Sequence, residues 1–458
     1  MSATTKPLGL GRKTDVDMTE GGIVGHIITF AIPLFLGNLF QMFYNLMDTW
    51  VVGNFVNDAA FAAVSTVGSV TNLMIGFFTG FASGSGVVIS QAFGAGDMDK
   101  VKRSVHTAVA LTIVLSVVFT GLGVFLVPLF VSMLNIKGAI AAEAITYLTI
   151  WFAGISGLMV YNMSAAILRA VGDSTRPFIF LVVSAVGNVA LNLLFVLVFG
   201  MGVEGVAYAT IISQGISAIC CIIVLLTTTS SVKVTPRDIK FDLPLLGKIA
   251  AISFPTAIQT GITAFSNIFV HSYINEFGDA VTGGYAAYNK IDHLLVLPMQ
   301  SLGIAISTFV GQNVGKKEYK RATVGAHITL LLSVVITLVL MVPLMIFSDF
   351  FVGLLTPTAD YISYATRFIM YMTPFYLVWT VNHAYAGALR GSGKTLVTSI
   401  ISISSYVVFR QIYLFVVTNF FEHDILTVIT AFPLGWILAA ISTIVYFFAV
   451  GIKPKEKA

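Results

Sequence analysis

The feature that most constrains this chain is the length of its uncharged stretches. Charged residues make up only 10% of 458 positions and hydrophobic residues 57%. A helix needs about 20 apolar residues to cross the hydrocarbon of a bilayer. Twelve such segments can be marked, near residues 23–53, 58–92, 104–132, 140–168, 177–200, 202–230, 246–275, 280–312, 322–348, 361–388, 396–420 and 425–451. Soluble domains average about 25% charged residues, and disorder requires low hydrophobicity with high charge; neither describes this chain. The fold class expected is an all-α polytopic membrane protein. Segments one, two and eight exceed a perpendicular span and must tilt, kink or protrude. Pro33 and Pro255 each remove a backbone donor and are the expected hinges. Residues 1–21 lack an apolar signal-peptide core, so the first apolar helix is expected to direct insertion. The two cysteines, Cys220 and Cys221, are adjacent, which excludes a disulfide framework.

Charge placement orients the spans. Of the 25 basic residues, 21 fall on one side of the twelve segments. They are Lys6, Arg12 and Lys13; Lys100, Lys102 and Arg103; Arg169 and Arg176; Lys233, Arg237, Lys240 and Lys248; Lys316, Lys317, Lys320 and Arg321; Arg390 and Lys394; and Lys453, Lys455 and Lys457. The opposite side has Lys137 and the acids Asp58, Glu204, Glu276, Asp279, Asp349, Asp360, Glu422 and Asp424. The positive-inside rule then puts both termini in the cytoplasm. The expected location is the cell membrane, with the bilayer itself as a partner. A net charge of +4 distributed in this way gives no reason to expect nucleic-acid binding.

The chain also matches itself at an offset of 221 residues. Gln91, Gly94, Asp97, Lys100 and His106 fall on Gln312, Gly315, Glu318, Arg321 and His327. Leu168-Arg169 and Gly172 fall on Leu389-Arg390 and Gly393, and Phe30 to Pro33 matches Ile252 to Pro255 at an offset of 222. Six spans per copy means that both copies enter from the same side. The expectation is two parallel-repeat six-helix lobes related by an axis along the membrane normal. The boundaries expected are a cytoplasmic segment 1–22, a first lobe 23–230, a cytoplasmic linker 231–245, a second lobe 246–451 and a cytoplasmic tail 452–458. Two lobes facing one another suit a transporter whose access alternates.

Gly391-Ser392-Gly393-Lys394-Thr395 resembles the end of a phosphate-binding loop, but the pattern requires glycine where this chain has Ala388. It also lacks the strand that such a loop follows, so a tight turn between helices is expected. No cofactor and no metal centre are expected, and an ion gradient is left as the energy source.

Ionisable residues inside spans are costly and mark function by default. Asp48 is the clearest, roughly 39 Å along the first span from Gly22. Gln41, Tyr44, Asn45 and Asp48 follow i, i+3, i+4, i+7 spacing and predict one polar stripe. A carboxyl held there can bind and release a proton as access changes, with Asn188 and Asn192 of span five as hydrogen-bond partners or cation ligands. Tyr147 and Thr210 are weaker candidates. Lys290, Asp292 and His293 form a second polar cluster early in span eight. Lys290 and Asp292 are two residues apart and point to different sides of a helix. Arg367 and Arg410 are expected to pair with carboxylates or carbonyls, with Glu143 a candidate partner for Arg367.

These residues resemble the multidrug and toxic-compound extrusion (MATE) family. The resemblance covers essentially the whole chain. It is carried by Ile32-Pro33, by Tyr44, Asn45, Asp48 and Gly53, by Ser90-Gln91 with Gly94-Ala95, by Val310-Gly311-Gln312-Asn313 with Gly315, and by Gly387-Ala388-Leu389-Arg390-Gly391. It implies twelve spans in two lobes, and export of organic cations or other amphiphiles against inward proton or sodium flow. The DinF-like branch is the most similar. Its amino-lobe coupling site looks like Asp48 with Tyr147, Asn188, Asn192 and Thr210. Some members carry a second Asp where this chain has Asn192, which leaves Asp48 as the sole carboxylate. The sodium-coupled branch often has acids at positions near Thr263 and Trp379, so that second cation site looks absent here.

The function expected is therefore proton-driven antiport of cationic or amphiphilic small molecules, with no enzymatic activity and a monomeric protein. Sodium bound at Asp48 is one alternative. Another is a lipid-linked saccharide flippase of related architecture, for which Lys290, Arg367 and Arg410 would supply a cationic cavity.

Overall fold

The computed structural model describes residues 15–134, 136–421 and 424–453. Lys6, Arg12, Lys13, Lys455, Lys457 and Glu422, with most of the proposed 1–22 segment and 452–458 tail, lie outside those residues. The described residues are predominantly helical and contain no strand.

Ten helical stretches are long and apolar enough to span a membrane. Gly138–Ala153 and Ile155–Ala170 form an eleventh, bent by 45° at Gly154. Ala359–Met372 and Tyr376–Gly391, joined by a short 3-10 turn at Thr373–Phe375, make the twelfth passage. It carries Arg367, His383 and Arg390, so its halves are less apolar than a single spanning run. The first span, Ile23–Phe55, runs unbroken through Pro33, and the seventh, Leu243–Asn275, runs unbroken through Pro255. Spans five and eleven each contain a π-helical stretch, Leu194–Val198 and Ser404–Phe409.

The chain divides into two compact units. One contains residues 36–250 together with the described residues before 18; the other contains residues 18–35 and 251–458. Both repeats therefore give up their leading segment. Residues 18–35 precede and begin the first span, yet Ile27, Phe30 and Leu34 pack with Ile306, Phe309 and Leu389 of the second unit. Residues 228–250 belong to the first unit. The first span changes unit two residues beyond Pro33, and the seventh changes five residues before Pro255.

Each leading segment is fastened at the basic end of a span. Met18 N donates to Gln312 Oε1 at 2.8 Å, and the Arg321 guanidinium donates to the Met18 and Glu20 carbonyls at 3.2 and 2.9 Å. In the first unit Thr235 N donates to His106 Nε2 at 3.0 Å, Lys102 pairs with Asp238 at 2.8 Å and Arg103 with Asp242 at 2.5 Å. The repeated motif residues Gln312, His106 and Arg321 therefore hold chain segments in place.

The duplication is visible in the backbone. Gly172 and Gly393 both turn with φ of +88°, a conformation that glycine adopts without strain. Gly393 belongs to the phosphate-loop-like run, which is here the turn between spans ten and eleven, with Lys394 Nζ donating to the Gly451 carbonyl at 2.5 Å. Gly391 ends the preceding helix where a Cβ would lie 2.3 Å from the Ser307 carbonyl oxygen, so only glycine permits that helix contact.

Candidate ion-coupling site

The first span reaches Asp48 near its Phe55 end, and the helix turns that carboxyl into the first unit, where it is only 6% exposed. Its partners come from spans five and six. Asn192 Nδ2 donates to Asp48 Oδ1 in a short hydrogen bond, and Thr210 Oγ1 donates to Asp48 Oδ2 at 3.2 Å. Asn192 Nδ2 also donates to Asn188 Oδ1 at 3.2 Å, and Asn188 Nδ2 reaches Thr210 Oγ1 at 3.5 Å. All four side chains are buried. Among the described residues no Lys, Arg or His lies within salt-bridge distance of Asp48.

These partners have a common property: each can donate or accept. The Thr210 hydroxyl also lies 3.0 Å from the Val206 carbonyl, so it has a second acceptor within reach. Asn192 Oδ1 is buried without a hydrogen-bond partner. The network can therefore serve a charged or a neutral carboxyl. A neutral carboxyl could be met by the hydroxyl turning towards Val206 and by the Asn192 amide presenting oxygen instead of nitrogen.

The polar stripe of the first span divides. Tyr44 is buried, and its phenol meets the side chains of Gln41 and Gln214. Gln41 is half-buried and borders a small chamber of about 10 Å³, room for about one water, shared with Tyr44, Ser184, Asn188, Ser213 and Gln214. Asn45 is exposed and stands apart from the Asp48 network. On a helix it lies about 100° from Tyr44, and the buried face centres on Tyr44 and Asp48. Tyr147 is buried in the surrounding apolar core, with Leu148 and Trp151, rather than hydrogen-bonded to the carboxyl. The chamber lies from Asp48 towards the Ile23 end of the span, and Asn188 touches both.

Sequence reasoning missed Gln214, Ser184 and Ser213. The signal was present in span six: Thr210, Ser213, Gln214 and Ser217 follow helical spacing on one buried face.

The second polar cluster separates on the surface of span eight. Lys290 and His293 are exposed, whereas Asp292 accepts from Tyr288 Oη at 3.2 Å, and Tyr288 Oη meets Tyr376 Oη at 2.9 Å. Arg367 faces Asp424 at 4.0 Å instead of the expected Glu143. Arg410 is buried but has neutral partners, Ser266 Oγ and Asn267 Oδ1, both at 2.8 Å. Among the described residues no group of three or more His, Cys, Asp or Glu side chains is placed to hold a metal ion.

The MatE family model matches this chain twice, over residues 33–194 and 251–416, once in each repeat. The chain is 29% identical over 428 residues to the probable multidrug resistance protein YoeA of Bacillus subtilis, covering 91% of this chain and 92% of that protein. It is 28% identical to the probable multidrug resistance protein YpnP of the same organism, covering 86% and 88%. Its fold is similar to a solved outward-facing multidrug resistance MATE family transporter of the MOP superfamily, with a TM-score of 0.87 at 21% identity over 95% of this chain and 97% of that one. The chain is a multi-pass membrane protein with two six-helix repeats, a transporter rather than an enzyme, and it belongs to the MatE family.

Proposed function

We propose that this protein is a secondary antiporter that exports organic cations or other amphiphilic drugs or metabolites, in exchange for protons that enter through Asp48. The likeness to YpnP and YoeA supports the substrate class. One observation carries the coupling: among the described residues, the buried Asp48 carboxyl is held by neutral groups alone, each able to reverse its hydrogen-bonding role. Groups that can donate to a charged carboxyl or accept from a protonated one let Asp48 take up and release a proton where it sits.

In the mechanism, the outward-facing protein takes a proton onto Asp48. Thr210 and Asn192 reverse their bonds, and the polar end of the first span is no longer tethered to a charge. The span is free to bend near Pro33, where it passes from one unit to the other. Substrate leaves outside, access changes, and the proton departs inward through the chamber bordered by Gln41, Tyr44 and Gln214. A cationic substrate and a proton compete for one negative charge, which gives exchange without direct contact between them. The basic residues at the starts of spans three and nine support cytoplasmic termini and a cell-membrane location.

A sodium ion is the second reading. Asn192 Oδ1, buried and unpartnered, is an oxygen that could join Asp48, Asn188 and Thr210 around a small cation. Dye counterflow in proteoliposomes separates the two. Proton coupling predicts efflux under a pH gradient with no sodium present. Efflux that requires a sodium gradient and ignores pH overturns it.

A further inference from the structure

The second unit holds a counterpart of the Asp48 site with the charge reversed. At an offset of 222 residues, Gln41, Tyr44, Asn45 and Asp48 of span one correspond to Thr263, Ser266, Asn267 and Val270 of span seven. Asn188 corresponds to Arg410, Asn192 to Leu414 and Thr210 to Phe432. Contacts support this alignment. Asn188 meets Thr210 in the first unit, and the Arg410 guanidinium sits 5.1 Å over the Phe432 ring in the second. The turn before span eleven matches at 221, and the π-helical stretch Ser404–Phe409 that ends immediately before Arg410 accommodates the extra residue. π-bulges of this kind re-aim a side chain and cluster at functional sites.

The counterpart has lost its carboxylate and gained a guanidinium. Arg410 is 4% exposed, and no Asp or Glu among the described residues lies within 4.0 Å of it to form a salt bridge. Its Nη2 donates to the neutral oxygens of Ser266 and Asn267, Gln411 Nε2 donates to Ser266 Oγ at 2.9 Å, and Nε is buried with no partner. Asp292, the acid of the same aromatic cluster, is engaged by Tyr288. A buried charge without a counter-ion is costly. In a guanidinium, Nε–H and one Nη2–H lie along one edge, the edge that an oxyanion takes in a bidentate fork. Here that edge has one empty donor and one donor held by a weaker, neutral acceptor. Asn267 and Gln411 beside it are only half-buried, which leaves a side for approach.

We propose that Arg410, with Ser266, Asn267 and Gln411, binds an oxyanion group of the transported molecule, a phosphate, carboxylate or sulfonate. The substrates of this protein then include anionic or zwitterionic aromatic amphiphiles as well as cations. The proposal rests on the transporter reading above but not on Asp48 as its coupling group.

The test is equilibrium binding to the purified full-length protein in phosphatidylcholine nanodiscs, with two probes that share one ring system, riboflavin and flavin mononucleotide. They differ by a single phosphate. Wild type is expected to prefer the phosphorylated flavin by about tenfold or more. Arg410→Gln should bind the two alike, Arg410→Lys should keep part of the preference, and Asp48→Asn should keep all of it. Equal affinity of wild type for the two flavins overturns the proposal, as does a preference that survives in Arg410→Gln. Wild type and Arg410→Lys keep the test decisive if the glutamine variant does not fold. Adding phosphatidylglycerol identifies the source of the anion. Unchanged flavin binding assigns the site to a solute, and competition that depends on Arg410 assigns it to lipid phosphate; either outcome places an oxyanion at Arg410. A failure here with intact pH-driven dye efflux rejects the anion site alone.

Discussion

The span-five face of the first repeat and the span-eleven face of the second began as copies and now carry opposite charges. In one, Asp48 is surrounded by Asn188, Asn192 and Thr210, and among the described residues no cation lies beside it. In the other, Arg410 is surrounded by Ser266, Asn267 and Phe432, and among the described residues no acid lies within salt-bridge distance of it. Duplication supplies two similar polar clefts for the cost of one gene, and a charge in each, if they faced the same ligand chemistry, would be redundant. Reversal lets the two repeats divide the work. A carboxyl can gain and lose a proton, whereas a guanidinium stays charged and can hold an anion.

The comparison can be broken most severely at Asp48. Asp48→Asn is expected to bind dye with an affinity that no longer depends on pH and to lose pH-driven efflux to the level of empty proteoliposomes, whereas Arg410→Gln should leave efflux of a cationic dye under a pH gradient at the wild-type rate. Loss of coupling in both variants would mean that the clefts are not separate. Thr210→Val comes next. It keeps the shape but removes a donor to a charged group, worth about 1.5–3 kcal/mol, and should slow pH-driven exchange by about tenfold. Gln214→Leu, which lines the chamber without touching the carboxyl, should slow exchange by less than Thr210→Val and leave dye affinity unchanged; a loss as large as that of Asp48→Asn would place the coupling group elsewhere.

The smallest effect belongs to the strap outside the membrane. Lys102 and Arg103 hold the Asp238 and Asp242 carboxyls below the usual carboxylate range. A depressed carboxylate contributes stability above its unfolded value and loses it as pH falls through the folded one. Asp238→Asn should therefore lower the unfolding temperature slightly at pH 7, and the difference from wild type should shrink as pH falls through the ordinary aspartate range and below it. No difference at pH 7 would show that the strap is held by its other contacts alone, such as Thr235 N to His106 Nε2.

The spans and the repeat were legible in the sequence because hydrocarbon demands long uncharged runs and duplication leaves aligned motifs. The Asp48 network was legible for a similar reason: Asn188 and Asn192 are polar residues in apolar helices, one turn apart. Other features had no local signature. The assignment of residues 18–35 to the second unit depends on tertiary packing of Phe30 and Leu34, which look like any apolar residues. The π-helical stretches have no composition of their own, so the expectation that Arg410 meets a carboxylate or a carbonyl could not name Ser266 and the Asn267 amide oxygen, to which its register presents it. Asn45 has the right spacing for the stripe but falls just outside the buried arc. The Arg367 partner was equally hidden, since Asp424 follows it by more than fifty residues and meets it only in the fold.

Proton release on substrate binding tests the central claim most directly. In lightly buffered detergent near neutral pH, addition of a cationic dye to wild-type protein should expel protons from Asp48, read by a pH indicator, and Asp48→Asn should bind the dye and expel none. Equal release from the two proteins would contradict the account.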